Sequence, residues 1–365
     1  MRKSNISYLL FIFFNLFVID SFGQTTKLKP GFDKEEFLEL LKVSSRQGDS
    51  LYNPDLPAPE KFQKIYRSSE MGLDNRWDLW VNEDKVACIS IRGTTSKQVS
   101  WLDNFYAAMV PAKGSLKLSN DFLFNYNLSD DNRSAVHTGW LIATAYLSRD
   151  ILPKIDSLYH SGYSDFYIMG HSQGAAISYL LTALLLKEQK IGGIPAEIKF
   201  KTYCSAAPKP GNLYFAYDFE NMTKGGWALT VTNATDWVPQ APFSIQTVGD
   251  FVELSPFTNA REIIRKQPFL KRIVMTKVYK SLDNPTDKAN KKFQKYLGKN
   301  LEVYIRKVLP EFESPNYVNS NNYVRTGQQI ILYPNEEYFK LFPQDKSSIW
   351  INHAFEPYLF LTSSY

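Results

Sequence analysis

The feature that most constrains the fold is a glycine-flanked serine between a short apolar run and a long segment rich in alanine and leucine. The apolar run covers residues 166–169, Gly170-His171-Ser172-Gln173-Gly174 follows, and a helical pattern covers residues 175–188. Gly-x-Ser-x-Gly in this setting is typical of a sharp strand-to-helix turn on which the serine hydroxyl projects above a parallel sheet. The sequence therefore predicts a nucleophilic Ser172 on such a turn.

Segments on either side extend this pattern into alternating strands and helices. Helices are predicted over residues 34–47 and 139–159 from the spacing of their apolar residues. A hairpin is predicted over residues 77–91, a second hairpin over residues 323–333, and further strands over residues 199–203 and 229–232. This alternation indicates the α/β class, with a mostly parallel central sheet and helices on both faces.

The first 23 residues have the pattern of an export signal. Arg2 and Lys3 precede an apolar run over residues 6–19, and Ser21-Phe22-Gly23 fits a small-x-small cleavage site. A membrane anchor is the alternative, but the run of about 14 residues is shorter than the roughly 20 that span a bilayer. We therefore expect a signal peptide over residues 1–23 and a secreted or periplasmic mature protein.

Positive charge is concentrated in residues 261–307, which we call the basic segment. It holds 14 Lys/Arg against 4 Asp/Glu, a local charge of +10, whereas the whole chain carries +5. Apolar residues alternate with the basic ones, and two interpretations stay open: a solvated helical insertion, or a basic amphipathic surface that binds anionic lipid. Nucleic acid is not an expected partner because no recognition motif accompanies the charge.

A nucleophilic serine requires a base and an acid to orient that base. The histidines are His137, His160, His171 and His353, and only His353 follows Ser172, as the chain order serine, acid, histidine requires. Acid candidates between them are Asp218, Asp236, Asp250, Asp283, Asp287, Asp345 and several glutamates. Asp236 follows the strand predicted over residues 229–232, at the sheet edge that carries Ser172. A turn or capping aspartate fits that position equally well, so these residues alone leave the acid open.

Six motifs in order along the chain resemble the class 3 (fungal-type) lipases of the α/β-hydrolase fold. They are Ile91-Arg92-Gly93-Thr94, Val136-His137-Thr138-Gly139-Trp140, Gly170 to Gly174, Ala207-Pro208-Lys209-Pro210-Gly211-Asn212, Asn233-Ala234-Thr235-Asp236-Trp237-Val238-Pro239, and His353 with Tyr358. The resemblance covers roughly residues 75–245 and 320–360. It implies one α/β-hydrolase domain over residues 24–365, with an insertion at about residues 255–320 that contains the basic segment.

The resemblance also implies roles for individual residues. Ser172 would be the nucleophile, Asp236 the orienting acid and His353 the base, while the Thr94 backbone N–H and hydroxyl and the Gln173 backbone N–H would form an oxyanion hole. The implied activity is that of a secreted carboxylic-ester hydrolase acting on lipids or other hydrophobic esters through an acyl-enzyme, without a metal or organic cofactor. The alternatives are a phospholipase A-type hydrolase and a non-catalytic lipid-binding protein of the same fold.

The chain departs from the family pattern in three places. Gln173 and Ala175 stand where the family usually has leucine and a second glycine, which predicts a more polar acyl pocket. In the lid segment, residues 96–105, the partner of the Thr94 hydroxyl is either Asp103 or Asn104. The distance of 117 residues between Asp236 and His353 is longer than in the compact fungal enzymes.

Two cysteines, Cys88 and Cys204, lie on strands that flank the nucleophile strand in this fold. Strands spaced about 4.8 Å apart place the two cysteines about 9.6 Å apart across the sheet. A disulfide requires Cα atoms within about 7 Å of each other. We therefore expect two free, buried thiols.

Overall fold

The fold is described from a computed structural model that covers residues 26–48 and 56–365. The predicted signal peptide, residues 1–23, lies outside the described residues. The strands are β1 Gln63–Arg67, β2 Trp77–Val81, β3 Val86–Ile91, β4 Met109–Pro111, β5 Lys113–Ser119, β6 Phe122–Asn127, β7 Ala135–His137, β8 Asp165–His171, β9 Lys199–Ser205, β10 Gly211–Asn212, β11 Ala228–Asn233, β12 Tyr323–Val324 and β13 Gln328–Leu332. The α-helices are α1 Lys34–Ser45, α2 Gln98–Phe105, α3 Thr138–His160, α4 Gln173–Lys190, α5 Leu213–Met222, α6 Ala260–Arg265, α7 Phe269–Gln294, α8 Glu302–Val308, α9 Glu336–Leu341 and α10 Phe355–Ser363.

The central sheet has seven strands in the order β1-β2-β3-β8-β9-β11-β13. Strands β3, β8, β9, β11 and β13 run parallel, and β1 and β2 complete one edge in antiparallel fashion. The hairpin predicted over residues 77–91 is confirmed, with Trp77 opposite Ile91. Since the parallel strands end at the same edge, residues that follow β3, β8 and β11 are brought together there.

Helices cover both faces of this sheet because side chains alternate along each strand. On β8, Phe166 and Ile168 pack into the core on the face covered by α3 and α4, whereas Tyr167 and Met169 pack into the core that includes α1 and α10. The predicted α/β-hydrolase class, with a mostly parallel sheet and helices on both faces, is confirmed.

The hairpin predicted over residues 323–333 is wrong. Strand β12 pairs antiparallel with β10 in a second sheet of order β12-β10-β7-β4, whereas β13 pairs parallel with β11 in the central sheet. Gly327 redirects the chain between them with a φ of +82°, and a Cβ there would lie 2.9 Å from the Thr230 hydroxyl. Two apolar runs around a glycine fit a hairpin locally, but here each run completes a different sheet.

The basic segment is largely helical, as predicted, and comprises α6, α7, a π-helical turn at Lys295–Lys299 and α8. Its carboxyl-terminal part packs beside the chain that leaves α2, where the Ala108 N–H donates to the Leu297 carbonyl at 2.9 Å. Among residues 26–48 and 56–365, no helix combines the length and apolar character needed to cross a membrane.

The two cysteines lie as expected on β3 and β9, with β8 between them. Both thiols are free and fully buried. Their side chains also belong to different cores, Cys88 to the one that includes α1 and α10 and Cys204 to the one that includes α3 and α4. Burial raises the pKa of the Cys88 thiol.

Candidate active site

Ser172 lies on the turn between β8 and α4, with a φ of +61° and a ψ of −130°. Residues with a side chain rarely adopt this strained backbone conformation. They keep it only where surrounding contacts hold the backbone in place. A Cβ at Gly170 would lie 2.3 Å from the Gly174 backbone, and one at Gly174 would lie 2.3 Å from the Ile91 carbonyl oxygen. Both flanking glycines are therefore needed for the close backbone approach that the turn requires.

Ser172, His353 and Asp236 lie in one hydrogen-bonded line. The Nε2 atom of His353 is 2.8 Å from the Ser172 Oγ, and its Nδ1 atom is 2.8 Å from the Asp236 Oδ2. Because the Asp236 carboxylate accepts at Nδ1, that nitrogen carries the proton and Nε2 is left to accept from the serine hydroxyl. The structure thus brings together three candidate residues that lie far apart in the sequence.

The Asp236 carboxylate is 2% exposed and receives donors at both oxygens. The Tyr358 hydroxyl donates to Oδ2 at 2.8 Å, and the Val238 backbone N–H donates to Oδ1 at 3.0 Å. Tyr358 is itself oriented, since its hydroxyl accepts from the Asn233 N–H at 3.1 Å. These donors offset the cost of burying the carboxylate and hold it toward His353.

His171, which precedes the serine, holds the backbone of His353. Its Nε2 atom is 2.8 Å from the His353 carbonyl oxygen, and its Nδ1 atom is 3.0 Å from the Ser205 hydroxyl. A carbonyl only accepts, so Nε2 carries the proton and Nδ1 accepts from Ser205. Burial, with a contribution from His353, lowers the pKa of His171 to about 3. His171 is therefore uncharged at neutral pH. The sequence did not reveal that this histidine holds the His353 backbone in place.

Thr94 follows β3 and lies beside the start of α4. Its hydroxyl donates to the Gln173 Oε1 at 2.9 Å and accepts from the Asn104 Nδ2 at 2.8 Å. The Trp140 indole N–H donates to the Asn104 Oδ1 at 3.1 Å, which fixes the amide orientation because an indole nitrogen cannot accept. Of the two candidates, the partner of the Thr94 hydroxyl is thus Asn104, and the hydroxyl proton points to Gln173.

Two backbone N–H groups in this part of the described structure have no protein acceptor. Within residues 26–48 and 56–365, the N–H groups of Thr94 and Gln173 donate to no protein acceptor. Gln173 is the first residue of α4, where helix geometry leaves N–H groups without a partner in the helix. Two such donors beside a serine hydroxyl are the arrangement that an oxyanion requires.

The Gln173 side chain is buried, contrary to the expectation that it makes the acyl pocket more polar. Its Nε2 donates to the Asp103 Oδ2 at 2.6 Å, and the Asn75 amide donates to the same oxygen at 3.0 Å. Burial raises the pKa of Asp103 to about 7. A Cβ at Gly139 would lie 1.9 Å from the Asp103 carbonyl oxygen, so α2 packs directly on the start of α3. The Gln173 amide therefore ties α2 to the nucleophile helix.

Three tryptophans surround the histidine end of the site. The Trp350 ring lies 5.7 Å from His353, 4.8 Å from Trp237 and 5.9 Å from Trp101 of α2. Trp237 and Trp350 are about 40% exposed, so this cluster presents an apolar surface next to His353. In the described residues, no group of three or more His, Cys, Asp or Glu is arranged to hold a metal ion.

The central part of the chain matches a known protein family. The profile of the lipases of class 3 matches residues 88–246. Residues 88–246 belong to the class 3 lipase family. The matched region of this lipase-like serine hydrolase includes Ser172 and Asp236, and it ends before the basic segment and His353.

Solved structures of fungal lipases are similar in part. The Lip2 lipase from Yarrowia lipolytica is 20% identical, with 60% of this chain and 78% of that chain covered at a TM-score of 0.44. The triacylglyceride lipase of Rhizomucor miehei is 19% identical, with 59% and 77% covered at a TM-score of 0.42. Because these structures are only distantly similar, the assignment of residues 88–246 to the family rests on the profile match. No curated protein matches this sequence.

Proposed function

We propose that this protein is a carboxylic-ester hydrolase that cleaves acyl esters of lipids with Ser172 as nucleophile, His353 as base and Asp236 as orienting acid. The observation that carries the proposal is the line of two 2.8 Å contacts from the Ser172 Oγ through the His353 ring to the Asp236 carboxylate. The family match supports lipase-type ester hydrolysis.

The proposed reaction begins with attack of the Ser172 Oγ on the acyl carbon. His353 Nε2 takes the hydroxyl proton as the new C–O bond forms and the carbonyl electron pair moves onto oxygen. The tetrahedral intermediate then collapses, the bond to the leaving alcohol breaks, and His353 returns the proton to that alcohol. Water repeats the sequence on the acyl-enzyme and releases a carboxylic acid. Asp236 stabilises the imidazolium and holds its tautomer.

The Thr94 and Gln173 backbone N–H groups are the proposed oxyanion hole. Support comes from their lack of a protein acceptor in the described part of the chain. Each such donor is typically worth about 3–4 kcal/mol of activation free energy. The Thr94 hydroxyl, the third donor that the family resemblance implies, contributes only when its proton leaves the Gln173 Oε1.

A hydrophobic acyl ester is the proposed substrate class. The exposed Trp237 and Trp350 beside His353 favour an apolar substrate over a small polar one. A phospholipase A-type activity is the second candidate, because the +10 charge of the basic segment attracts anionic phospholipids. A purely lipid-binding role has less support, since binding requires no hydrogen-bonded serine, histidine and aspartate.

The location and domain organisation stay part of the proposal. Residues 1–23 are the proposed signal peptide of a secreted or periplasmic protein, because a basic start, an apolar run and a small-x-small site follow one another. Residues 24–365 are the proposed single α/β-hydrolase domain, with the insertion at about residues 255–320.

Hydrolysis of a substrate panel tests the proposal. Wild type and Ser172→Ala are compared on short-chain triglyceride, long-chain triglyceride, phosphatidylcholine and phosphatidylglycerol. We expect wild type to release fatty acid from at least one glyceride or phospholipid, and the variant to release none. Release of fatty acid at the same rate by both proteins, or by neither, would contradict the proposal.

A further inference from the structure

For their length, the basic segment and its flanks expose more large apolar side chains than the rest of the described residues. About half of the large apolar side chains that are exposed in the described residues lie between residues 252 and 308. Single exposed apolar residues are ordinary, but a contiguous group marks a surface that binds something.

The exposed apolar residues of α7 form one face of the helix. Leu270, Val274, Val278 and Leu282 follow one another at intervals of four residues and Ile273 adjoins Val274; all five are between 51% and 77% exposed. Nearer its carboxyl-terminal end, α7 is held to the body of the protein, where Asn290 and Phe293 are buried. Since residues three and four apart share a helix face, the apolar row points outward over more than three turns.

Basic residues lie among and beside the apolar side chains of this row. Residues 269–282 contain Lys271, Arg272, Lys277 and Lys280 and no Asp or Glu. Pro285 lies inside α7, and the lysines beyond it, Lys288, Lys291 and Lys292, are exposed, with Lys291 paired to Asp287. The first half of α7 therefore exposes apolar and basic side chains together, and the lysines beyond Pro285 add further positive charge.

We propose that the outward face of α7 docks on an anionic lipid bilayer, with the apolar row in the interface and the flanking lysines on lipid phosphates. An exposed helix side that combines apolar residues with lysines is typical of helices that lie in the plane of a membrane surface. Charge complementarity favours anionic lipid over a second copy of this chain. A second copy would bring another segment of charge +10 and be repelled, whereas anionic lipid is attracted. The proposal deepens the proposed function, since it places the enzyme on a surface made of its substrate class.

Hydrogen bonds connect the end of the basic segment to the residues that follow α2, so docking through α7 also concerns the region of Ser172. The Leu297 carbonyl accepts from the Ala108 N–H, and the Tyr317 hydroxyl is 2.6 Å from the Tyr106 hydroxyl, which belongs to the residue directly after α2. The Tyr317 hydroxyl also donates to Glu302 of α8 at 2.6 Å. A bilayer bound at α7 therefore lies on a segment fastened to the α2 side of the site.

Vesicle co-sedimentation of the Ser172→Ala protein tests the docking without lipid turnover. Vesicles of phosphatidylcholine with phosphatidylglycerol are compared with vesicles of phosphatidylcholine alone. One variant combines Leu270→Ser, Val274→Ser and Val278→Ser, and a second combines Lys271→Gln, Lys277→Gln and Lys280→Gln. The matched controls are Ile191→Ser and Lys224→Gln, at exposed residues outside the segment. Circular dichroism checks the folding of each protein.

We expect wild-type α7 to favour the anionic vesicles. Three lysines near the surface contribute on the order of 100-fold in affinity, so the lysine variant should lose about that factor. The apolar variant should bind at least about 10-fold more weakly and retain the salt dependence. The controls should bind like the parent protein. Equal binding to both vesicle types, or unchanged binding of both folded α7 variants, would overturn the proposal.

A second readout separates this proposal from the proposed function. With Ser172 restored, both α7 variants should hydrolyse a soluble short-chain ester at the wild-type rate, because none of the changed residues lies in the triad or oxyanion hole. Normal soluble-ester hydrolysis with unaltered vesicle binding would refute the docking alone. Absence of any Ser172-dependent hydrolysis with α7-dependent binding would refute the enzymatic proposal alone.

Discussion

The edge of the sheet that carries Ser172 and the outward face of α7 are built in opposite ways. At the sheet edge Asp236, His353 and His171 are at most 9% exposed, and their side chains are hydrogen-bonded. On α7 apolar side chains such as Leu270 and Val278 are more than half exposed. Burying polar groups costs free energy that only well-placed partners offset, and exposing apolar groups costs hydration free energy. The polar groups of the first region therefore find their partners within the chain, whereas the apolar face of the second is the surface that we propose to contact lipid.

The largest effect should come from breaking the complete region at its reacting atoms. Ser172→Ala and His353→Ala should each lower kcat for ester hydrolysis by at least about 10⁴-fold, because they remove the nucleophile and the base. Asp236→Asn should be less severe, since it leaves both in place. The measurement is initial rate on a soluble ester together with circular dichroism. Near-normal turnover by a folded His353→Ala protein would show that the base is misassigned.

A strong effect on stability is expected where α2 rests on α3. Gly139→Ala places a Cβ that would lie 1.9 Å from the Asp103 carbonyl oxygen, and relief of this contact requires a backbone shift. We expect a loss of about 3 kcal/mol in the free energy of unfolding, measured by denaturant titration. Gly249→Ala is the control, because its Cβ meets its nearest neighbour, the Thr247 hydroxyl, at 3.6 Å. Similar stability of the two variants would mean that α2 is not held in this way.

A smaller, pH-dependent effect is expected from the buried carboxyl of Asp103. Its pKa is raised to about 7 in the folded protein, whereas an unfolded aspartate titrates near about 4. The folded state thus binds more protons between these values, and this group lowers the stability of wild type as the pH rises from about 4 to about 7. Asp103→Asn removes that dependence. Its Tm relative to wild type should therefore be higher at about pH 8 than at about pH 5, and an equal difference at both would contradict the assignment.

The smallest effect concerns the cysteines, where no change is the expected outcome. Cys88 and Cys204 are buried in different cores on strands separated by β8, so reductant should leave the Tm unaltered. Thiol titration of the denatured, unreduced protein should count two reactive groups. A count of zero would show that the strand placement is mistaken.

Features formed by neighbouring residues could be predicted from the sequence, whereas contacts between distant segments could not. The turn at Ser172 was predicted because glycines, strand and helix are adjacent in the chain, and Asp236 and His353 followed from chain order and family resemblance. The hairpin over residues 323–333 failed because pairing partners lie far away in sequence, β10 for β12 and β11 for β13. The contact of His171 with the His353 carbonyl was missed for the same reason, since nothing local distinguishes a buried positioning histidine.

The link between Gln173 and Asp103 shows a further limit of sequence reasoning. A glutamine at the first position of α4 predicts a polar group at the site, but its direction depends on α2, which is packed against it by tertiary contacts. In contrast, the exposure of the α7 row agrees with its amphipathic spacing. The charge pattern left open whether the segment is a solvated insertion or a lipid-binding surface, and the structure shows which apolar side chains of α7 are exposed.

The central claim is that the hydrogen-bonded line through His353 makes Ser172 the nucleophile. Its most direct test is the reaction of the intact protein with an alkyl fluorophosphonate, followed by intact-mass measurement and peptide mapping over time. We expect one phosphonyl adduct on Ser172 in wild type, none on Ser172→Ala, and a strongly slowed reaction in folded His353→Ala. An adduct on another residue, or labelling of His353→Ala at the wild-type rate, would contradict it.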